Sequence, residues 1–319
     1  MSSTGLTSAT ASSGAVSAPT PTRKYPPIIY AVEPFGGSVR DHNPNLPLVF
    51  CDDAAVTRGD GVFETLLLRG GRVCNVERHV ERFLASADLL DLPPINIDGW
   101  LKATTMALNE WQARTDEDAT CTWVYTRGRE STGIPSAWLT VKQIPATTVQ
   151  QRTTGVAVMT SPRGYHIDTQ PAPGMDATSA TAPWLVVGAK TLSYAANMAA
   201  LRWARAHDFD DVIYIDGDTV LEGATSTVIT VRGKKLRTPI AGGDVLSGTT
   251  QAALFEHATA QGWRCKQKHL LIDDLYRADS VWLVSSVRIA ARVTRINDQE
   301  LPVPDNEAEI RELIAAALG

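Results

Sequence analysis

Apolar and polar positions divide the chain into stretches of two different periods. Residues 46–51 (LPLVFC) and 62–68 (VFETLLL) are apolar, β-prone runs, and the second is followed by Arg69-Gly70-Gly71-Arg72 and a return through 73–76. That pattern predicts a hairpin closed by a Gly-Gly turn. From Glu77 the period lengthens. Val80, Phe83, Leu84, Ala87 and Leu90 recur at helical spacing until Pro93-Pro94 stops the run. A second helix is expected over 97–113, then strands over 120–126 (TCTWVYT) and 138–144 (WLTVKQI). Residues 145–154 are polar and aperiodic, which suits a linker.

The second half resumes with a strand over 155–160, a long Gly/Pro/Thr/Ala segment over 162–183, and a short buried-type strand over 184–188 that ends at Ala189-Lys190. Leu192, Ala195, Ala196, Ala199, Trp203 and Ala206 mark one face of a helix. Strands follow over 211–216 and 227–232, a helix over 249–261, a strand over 280–285 and a closing helix over 307–317. The expected organisation is a disordered tail over 1–25, a small N-terminal α/β domain over 26–145, a linker over 146–154 and a larger C-terminal domain over 155–319. The fold class is α/β (α+β).

Composition narrows the classes. The chain has 319 residues, 35 acidic against 30 basic side chains, and a formal net charge of −5. No stretch approaches the ~18–20 apolar residues of a membrane span. The acidic balance lacks the basic footprint of a nucleic-acid binder. A cytosolic, cytoplasmic enzyme or a binding protein is left. Cys51, Cys74, Cys121 and Cys265 are scattered without a CxxC pair and read as reduced small hydrophobes inside strands. The six histidines show no ligand spacing, so no metal is expected. Residues 1–24 are rich in Ser, Thr and Ala, contain no acid and lack the continuous apolar core of a secretory signal.

Four groups carry candidate chemistry. Lys190 sits in VVGAKTLSYAAN with no other charge nearby. It is either a solvated lysine at a helix start or an amine whose charged form is disfavoured, as a Schiff-base lysine requires. Glu222 falls between β-prone stretches, either as a turn carboxylate or as the partner of a heteroaromatic nitrogen, with Gly223 allowing close approach. The run Asp244-Val245-Leu246-Ser247-Gly248-Thr249-Thr250 opens a helix, through plain capping by Ser247 or Thr249 or as an anion site. Arg78 and Arg82 are like charges four apart on a helix, a mild conflict unless an anion intervenes. A reactive amine, a carboxylate, a hydroxyl-rich helix start and a guanidinium together suit an aromatic aldehyde bearing a phosphate, which is pyridoxal 5′-phosphate.

Five motifs in order carry a resemblance. They are Gly59-Asp60-Gly61-Val62-Phe63-Glu64-Thr65, Glu77-Arg78-His79-Val80-Glu81-Arg82-Phe83, Lys190-Thr191-Leu192-Ser193-Tyr194, Leu221-Glu222-Gly223, and Leu246-Ser247-Gly248-Thr249-Thr250. They resemble the fold-type IV (class IV aminotransferase) pyridoxal-phosphate enzymes, which include branched-chain and D-amino-acid aminotransferases and 4-amino-4-deoxychorismate lyase. The resemblance runs from about residue 46 to residue 296. It implies two domains with the cofactor between them, in a homodimer. By this resemblance Lys190 is the Schiff-base lysine and proton shuttle, and Glu222 keeps the pyridine nitrogen protonated. Arg82, Thr249, Thr250 and Ser286 hold the phosphate, and Tyr194 bonds the phenolic oxygen.

Two departures bear on the reaction. Arg58 stands where many aminotransferases of the family carry a pocket tyrosine, and Ser285-Ser286 replaces a Gly-Thr pair common in branched-chain enzymes. The first motif, Thr126-Arg127-Gly128 and Ser286-Val287-Arg288 look more like the lyase branch. The lyase substrate is a small amino compound with two carboxylates and calls for cations. Arg58, Arg127, Arg129 and Arg288 are the candidates, because a guanidinium binds carboxylate bidentately. The expected activity is release of pyruvate to form 4-aminobenzoate for folate synthesis. The alternative is D-amino-acid or branched-chain transamination.

Overall fold

The computed structural model describes residues 24–34, 38–164, 188–242 and 245–318. The expected tail, most of the 162–183 segment and nearly all of the 184–188 strand lie outside the described residues. The first sheet is built from β1 (Ile28–Val32) and β2 (Val39–Asp41), then, after α1 (Ala54–Arg58), from β3 (Gly61–Arg69) and β4 (Arg72–Val73). Helices α2 (Val76–Leu89) and α3 (Ile97–Gln112) follow, and β5 (Ala119–Thr126) and β6 (Ser136–Gln143) complete it. Its six strands run in the order β2-β1-β6-β5-β3-β4. The β3–β4 hairpin turns through Gly70 (φ 56°) and Gly71 (φ 77°), the left-handed pair that a two-residue turn of this kind requires.

Helix α3 places Trp100, Ala103, Ala107 and Trp111 on one face, and these pack with Phe83 of α2 on Leu66, Cys121 and Trp123 of the sheet. Strand β3 is buried on both faces. Leu66 and Leu68 enter this core, while Leu67 enters a second one shared with Trp282 and Leu254. Alternation along β3 therefore sends Glu64 toward α2 and Phe63 and Thr65 the other way.

Helix α4 (Ala146–Thr154) connects the sheets. The second sheet starts with β7 (Val156–Pro162) and continues after α5 (Ala195–Ala206) with β8 (Asp211–Asp216), β9 (Thr219–Gly223), β10 (Thr227–Val231) and β11 (Lys235–Thr238). Next come α6 (Thr249–Ala260), β12 (Arg264–Gln267), β13 (Leu270–Leu271) and α7 (Ile272–Tyr276). The chain closes with β14 (Ser280–Ser285), β15 (Ile289–Ile296), β16 (Gln299–Glu300) and α8 (Glu307–Ala316). The strand order is β12-β11-β10-β14-β15-β7-β8-β9-β13, with β16 on β15. Among the described residues no helix is long and apolar enough to cross a membrane.

Several expectations are corrected. Residues 46–51 form no strand, and Leu46 and Phe50 are exposed. Pro47 lacks the N–H that a ladder needs and restricts Leu46 before it. Residues 146–154 are helical rather than an irregular linker, with Pro145 at the N-cap. Helix α5 exists, but the expected face is its outer one: Leu201 and Ala204 are buried, while Trp203 is 59% exposed. Its many alanines leave two stripes of similar polarity, so the pattern fixed the period but not the phase. Glu222 lies within β9 rather than in a turn. Of the cysteines, Cys121 and Cys265 lie in strands, Cys74 is buried just beyond β4, and Cys51 is exposed in a turn; all four are free thiols.

Candidate active site

A cavity of about 360 Å³ opens where β3 and α2 meet the second sheet. Lys190 reaches it from an extended segment rather than from a helix start, because α5 begins only at Ala195. That segment runs beside β3: Phe63 N–H donates to Lys190 O (3.0 Å), Leu192 N–H donates to Gly61 O (2.8 Å), and Thr191 pairs with Val62. A Cβ on Gly61 would lie 2.7 Å from Tyr125 O and 2.8 Å from Leu192 Cδ1, so glycine permits this approach. The Lys190 N–H also donates to Ser86 Oγ of α2 (3.0 Å).

The Lys190 side chain lies among aromatic rings. Its Nζ is 4.1 Å from the Phe63 ring centroid and 5.3 Å from that of Tyr194. Burial, reinforced by the Arg82 charge, lowers the ammonium to about 8 against the pull of Glu64 and Glu222. The main cause is thus desolvation, with the Arg82 charge second. Tyr194, edge-on to Phe63, has its hydroxyl pushed up to about 12 by burial and by Glu222.

Glu222 accepts from Arg163 Nη2 (2.7 Å) and from Leu246 N–H (3.0 Å). Burial raises its carboxyl above the usual range despite Arg163. Arg163 escaped the sequence reading because it follows β7 at the edge of a low-complexity stretch, 59 residues from its partner. A Cβ on Gly223 would fall 2.2 Å from Ser226 Oγ, and that hydroxyl is a buried cavity-wall group with no hydrogen-bond partner among the described residues.

Opposite lies an anion cup. Arg82 Nε and Nη2 donate to the two oxygens of Glu64 (2.6 and 2.8 Å), and Nη1 donates to Ser247 O (2.8 Å). His79 Nδ1 is 2.7 Å from Glu64 Oε2. Thr249 and Thr250 are buried in the first turn of α6, where backbone N–H groups have no helical acceptor. Ser286 Oγ lies 3.5 Å from Thr249 Oγ1. Glu64 and His79 stood in the quoted motifs without a role. The available signal was an acid inside an apolar strand.

The remaining arginines separate. Arg288 lines the cavity, with Nη1 donating to Asp211 Oδ2 (2.6 Å). Arg58 does not line it: it is exposed and ion-paired with Glu130. Arg127 is taken up by Asp60 (Nε, 2.6 Å) and by the carbonyls of Leu90 and Asp91, and Arg129 by Asp52 (3.0 Å). In each case an acid in a neighbouring loop claims the guanidinium. Three of the four arginines proposed for substrate carboxylates therefore lie outside this chain's cavity.

An amine with lowered basicity, a buried carboxylate, an unpartnered wall hydroxyl and an anion cup fit pyridoxal phosphate. The sequence pattern of the amino-transferase class IV family matches residues 61–296. The chain belongs to the class IV aminotransferases. It is a pyridoxal-phosphate-dependent enzyme of this family, with the mixed α/β architecture of fold type IV.

A protein from Mycobacterium tuberculosis (strain ATCC 25618 / H37Rv), described as a bifunctional aminodeoxychorismate lyase / D-amino acid transaminase, is 42% identical over 283 residues, covering 86% of this chain and 95% of that relative. Solved structures of a hypothetical aminotransferase from Mycobacterium tuberculosis, one with PLP and one with α-ketoglutarate and PMP, have a TM-score of 0.84 at 40% identity, covering 91% of this chain and 98% of theirs. The fold IV-transaminase CpuTA1 from Curtobacterium pusillum has a TM-score of 0.82 at 36% identity, covering 92% of this chain and 99% of its own.

Proposed function

We propose that this class IV enzyme is an aminodeoxychorismate lyase that also transaminates D-amino acids in the same cavity. Bound pyridoxal phosphate supplies an aldehyde that captures amines and a ring that draws electrons from the carbon beside the amine. Lys190 provides the amine that meets the aldehyde. Once the substrate's amine takes its place, Lys190 moves the proton at the reacting carbon. Glu222, held by Arg163, keeps a proton at the ring nitrogen. Tyr194 would bond the phenolic oxygen, and Arg82, Thr249, Thr250 and Ser286 would hold the phosphate.

The observation that carries the substrate class is Arg288, an arginine held inside the cavity by Asp211 and suited to a substrate carboxylate. In the lyase reaction Lys190 removes the ring proton beside the amine. The C–O bond to the enolpyruvyl group then breaks, the ring becomes aromatic as 4-aminobenzoate, and the enol released takes up a proton to give pyruvate. With a D-amino acid, Lys190 would remove the proton on the carbon beside its amine and return it elsewhere with no group expelled, which gives amino transfer, so one base serves both outcomes. The Mycobacterium relative described as bifunctional supports carrying both readings.

The test supplies purified protein with aminodeoxychorismate, following pyruvate and 4-aminobenzoate, beside D-alanine with 2-oxoglutarate. Appreciable transamination without any 4-aminobenzoate would sink the lyase reading. The working form is a homodimer: Leu46, Phe50, Val56 and Ile134 are exposed apolar side chains on α1 and the loops around Arg129, a face suited to a second copy.

A further inference from the structure

Glu64 and His79 are buried beside the phosphate cup, and neither has a part in the reaction above. Glu64 is fully buried and His79 is 1% exposed. An ionised carboxylate can only accept, so the hydrogen between them sits on His79 Nδ1 and the ring's other nitrogen faces the cup. That atom, Nε2, is 3.3 Å from Ser286 Oγ and 3.5 Å from Thr249 Oγ1, and the two hydroxyls are 3.5 Å apart.

This triangle sets a donor count. In the neutral ring Nε2 is a bare acceptor, and one hydroxyl must direct its single hydrogen at it. In the protonated ring Nε2 donates, and both hydroxyl hydrogens are free for an anion. Charge points the same way. Arg82 is already matched by Glu64, whereas a phosphate ester carries close to two negative charges at neutral pH. The charged groups that face His79 are Glu64 from β3, Arg82 from its own helix and Lys190 from the segment along β3. Helix α6 and the 286–288 turn present Thr249 and Ser286 to it. Before an anion arrives, burial keeps the imidazole uncharged despite Glu64.

We propose that His79 is a positioning residue that takes up a proton when the cofactor phosphate binds, so that Ser286 and Thr249 turn from partners of the imidazole into donors to the phosphate. The inference rests on reading Arg82, Thr249 and Ser286 as the phosphate cup.

The full chain freed of cofactor is titrated with pyridoxamine 5′-phosphate, which has no aldehyde to condense with Lys190. Calorimetry is run at about pH 8, where the free phosphate is already a dianion, in buffers of different ionisation enthalpy. The wild type is expected to take up about one proton more per ligand than His79→Gln, whose trace subtracts any proton taken by the ligand itself. The ³¹P resonance of the bound ligand stays at the dianion position. Equal uptake by both proteins, or a monoanionic ³¹P signal, overturns the proposal. If His79→Gln does not fold, the imidazole ¹⁵N resonances of the wild type report the same event, and an unprotonated Nε2 in the complex is the contrary result. Arg82→Gln separates the two layers: unchanged affinity defeats the cup, while lost affinity with no extra proton uptake in the wild type defeats only the role of His79.

Discussion

Glu64→Gln measures how much the buried cluster behind the cup contributes to the fold. Glu64 sits in β3 with Arg82 bonded to both oxygens and His79 to one of them. Burial alone would push the carboxyl up, but Arg82 and His79 hold it at about 2, against an ordinary 4.5. That difference corresponds to roughly 3 kcal/mol of folding stability at neutral pH. The folded carboxyl resists protonation more than the unfolded one, so the contribution is complete above about pH 5 and disappears as pH falls toward 2. The variant loses it at every pH and leaves a guanidinium and an imidazole against an amide. Denaturant titrations from about pH 7 to about pH 3 should show the variant weaker by roughly 3 kcal/mol at the top of the range and the two proteins converging at the bottom. Curves that stay parallel throughout would refute the assignment.

The rate at which the cofactor-free chain captures pyridoxal phosphate, followed by visible absorbance, should rise with pH and flatten above about 8, since only the neutral Lys190 amine attacks; a midpoint near 10.5 would show that the cavity does not lower it. Lys190→Ala should lack the borohydride-sensitive absorbance band. Trp100→Ala removes a ring packed 5.0 Å from Phe83 and 5.7 Å from Trp123, and should cost roughly 3–5 kcal/mol in denaturation; a loss below about 1 kcal/mol would contradict the packing. Arg288→Gln, paired with Asp211→Asn so that no buried charge is stranded, should raise KM for D-glutamate about tenfold or more by removing a charge-assisted bond. An equal rise for D-alanine would mean that Arg288 binds the carboxylate common to all substrates.

The legible parts of the fold were those where one period dominates and stop signals are sharp. Helices α2 and α3 and the β3–β4 hairpin emerged near their expected bounds because prolines and paired glycines punctuate them. Helix α5 failed in phase because alanine is indifferent to which side faces water. Strand β9 was missed because Glu222 interrupts its apolar run, and the acid is admitted only because Arg163 and Leu246 N–H meet it. The candidate site shows the same division. Lys190, Glu222, Arg82 and the Thr249-Thr250 turn were identifiable as residue types in order, and the structure gathers them around one cavity. Which arginine faces that cavity was not legible, because the deciding partners lie far away in sequence: Asp60 for Arg127, and Asp211 for Arg288, 77 positions off.

Those partners also bear on how the site meets its ligands. Among the described residues the two arginines that line the cavity are ion-paired before anything binds, Arg82 with Glu64 and Arg288 with Asp211, and Arg163 behind it is matched by Glu222. Among the described residues Lys190 has no carboxylate partner within ion-pair distance, and burial favours its neutral form. An ammonium lowered only to about 8 is still mostly charged at neutral pH, so among these residues Lys190 carries the one positive charge of the unliganded cavity that no acid within ion-pair distance matches. A phosphate dianion together with substrate carboxylates brings several negative charges into it, and stranding them in a dry pocket is costly. Rigid arginines already engaged with acids cannot meet that demand alone. The groups left to answer it are Lys190, whose ammonium persists up to about pH 8, and His79, uncharged behind the cup until it takes up a proton. Affinity for anionic ligands should therefore be carried by proton uptake as much as by fixed positive charge, and it should weaken with rising pH more steeply than the arginine count implies.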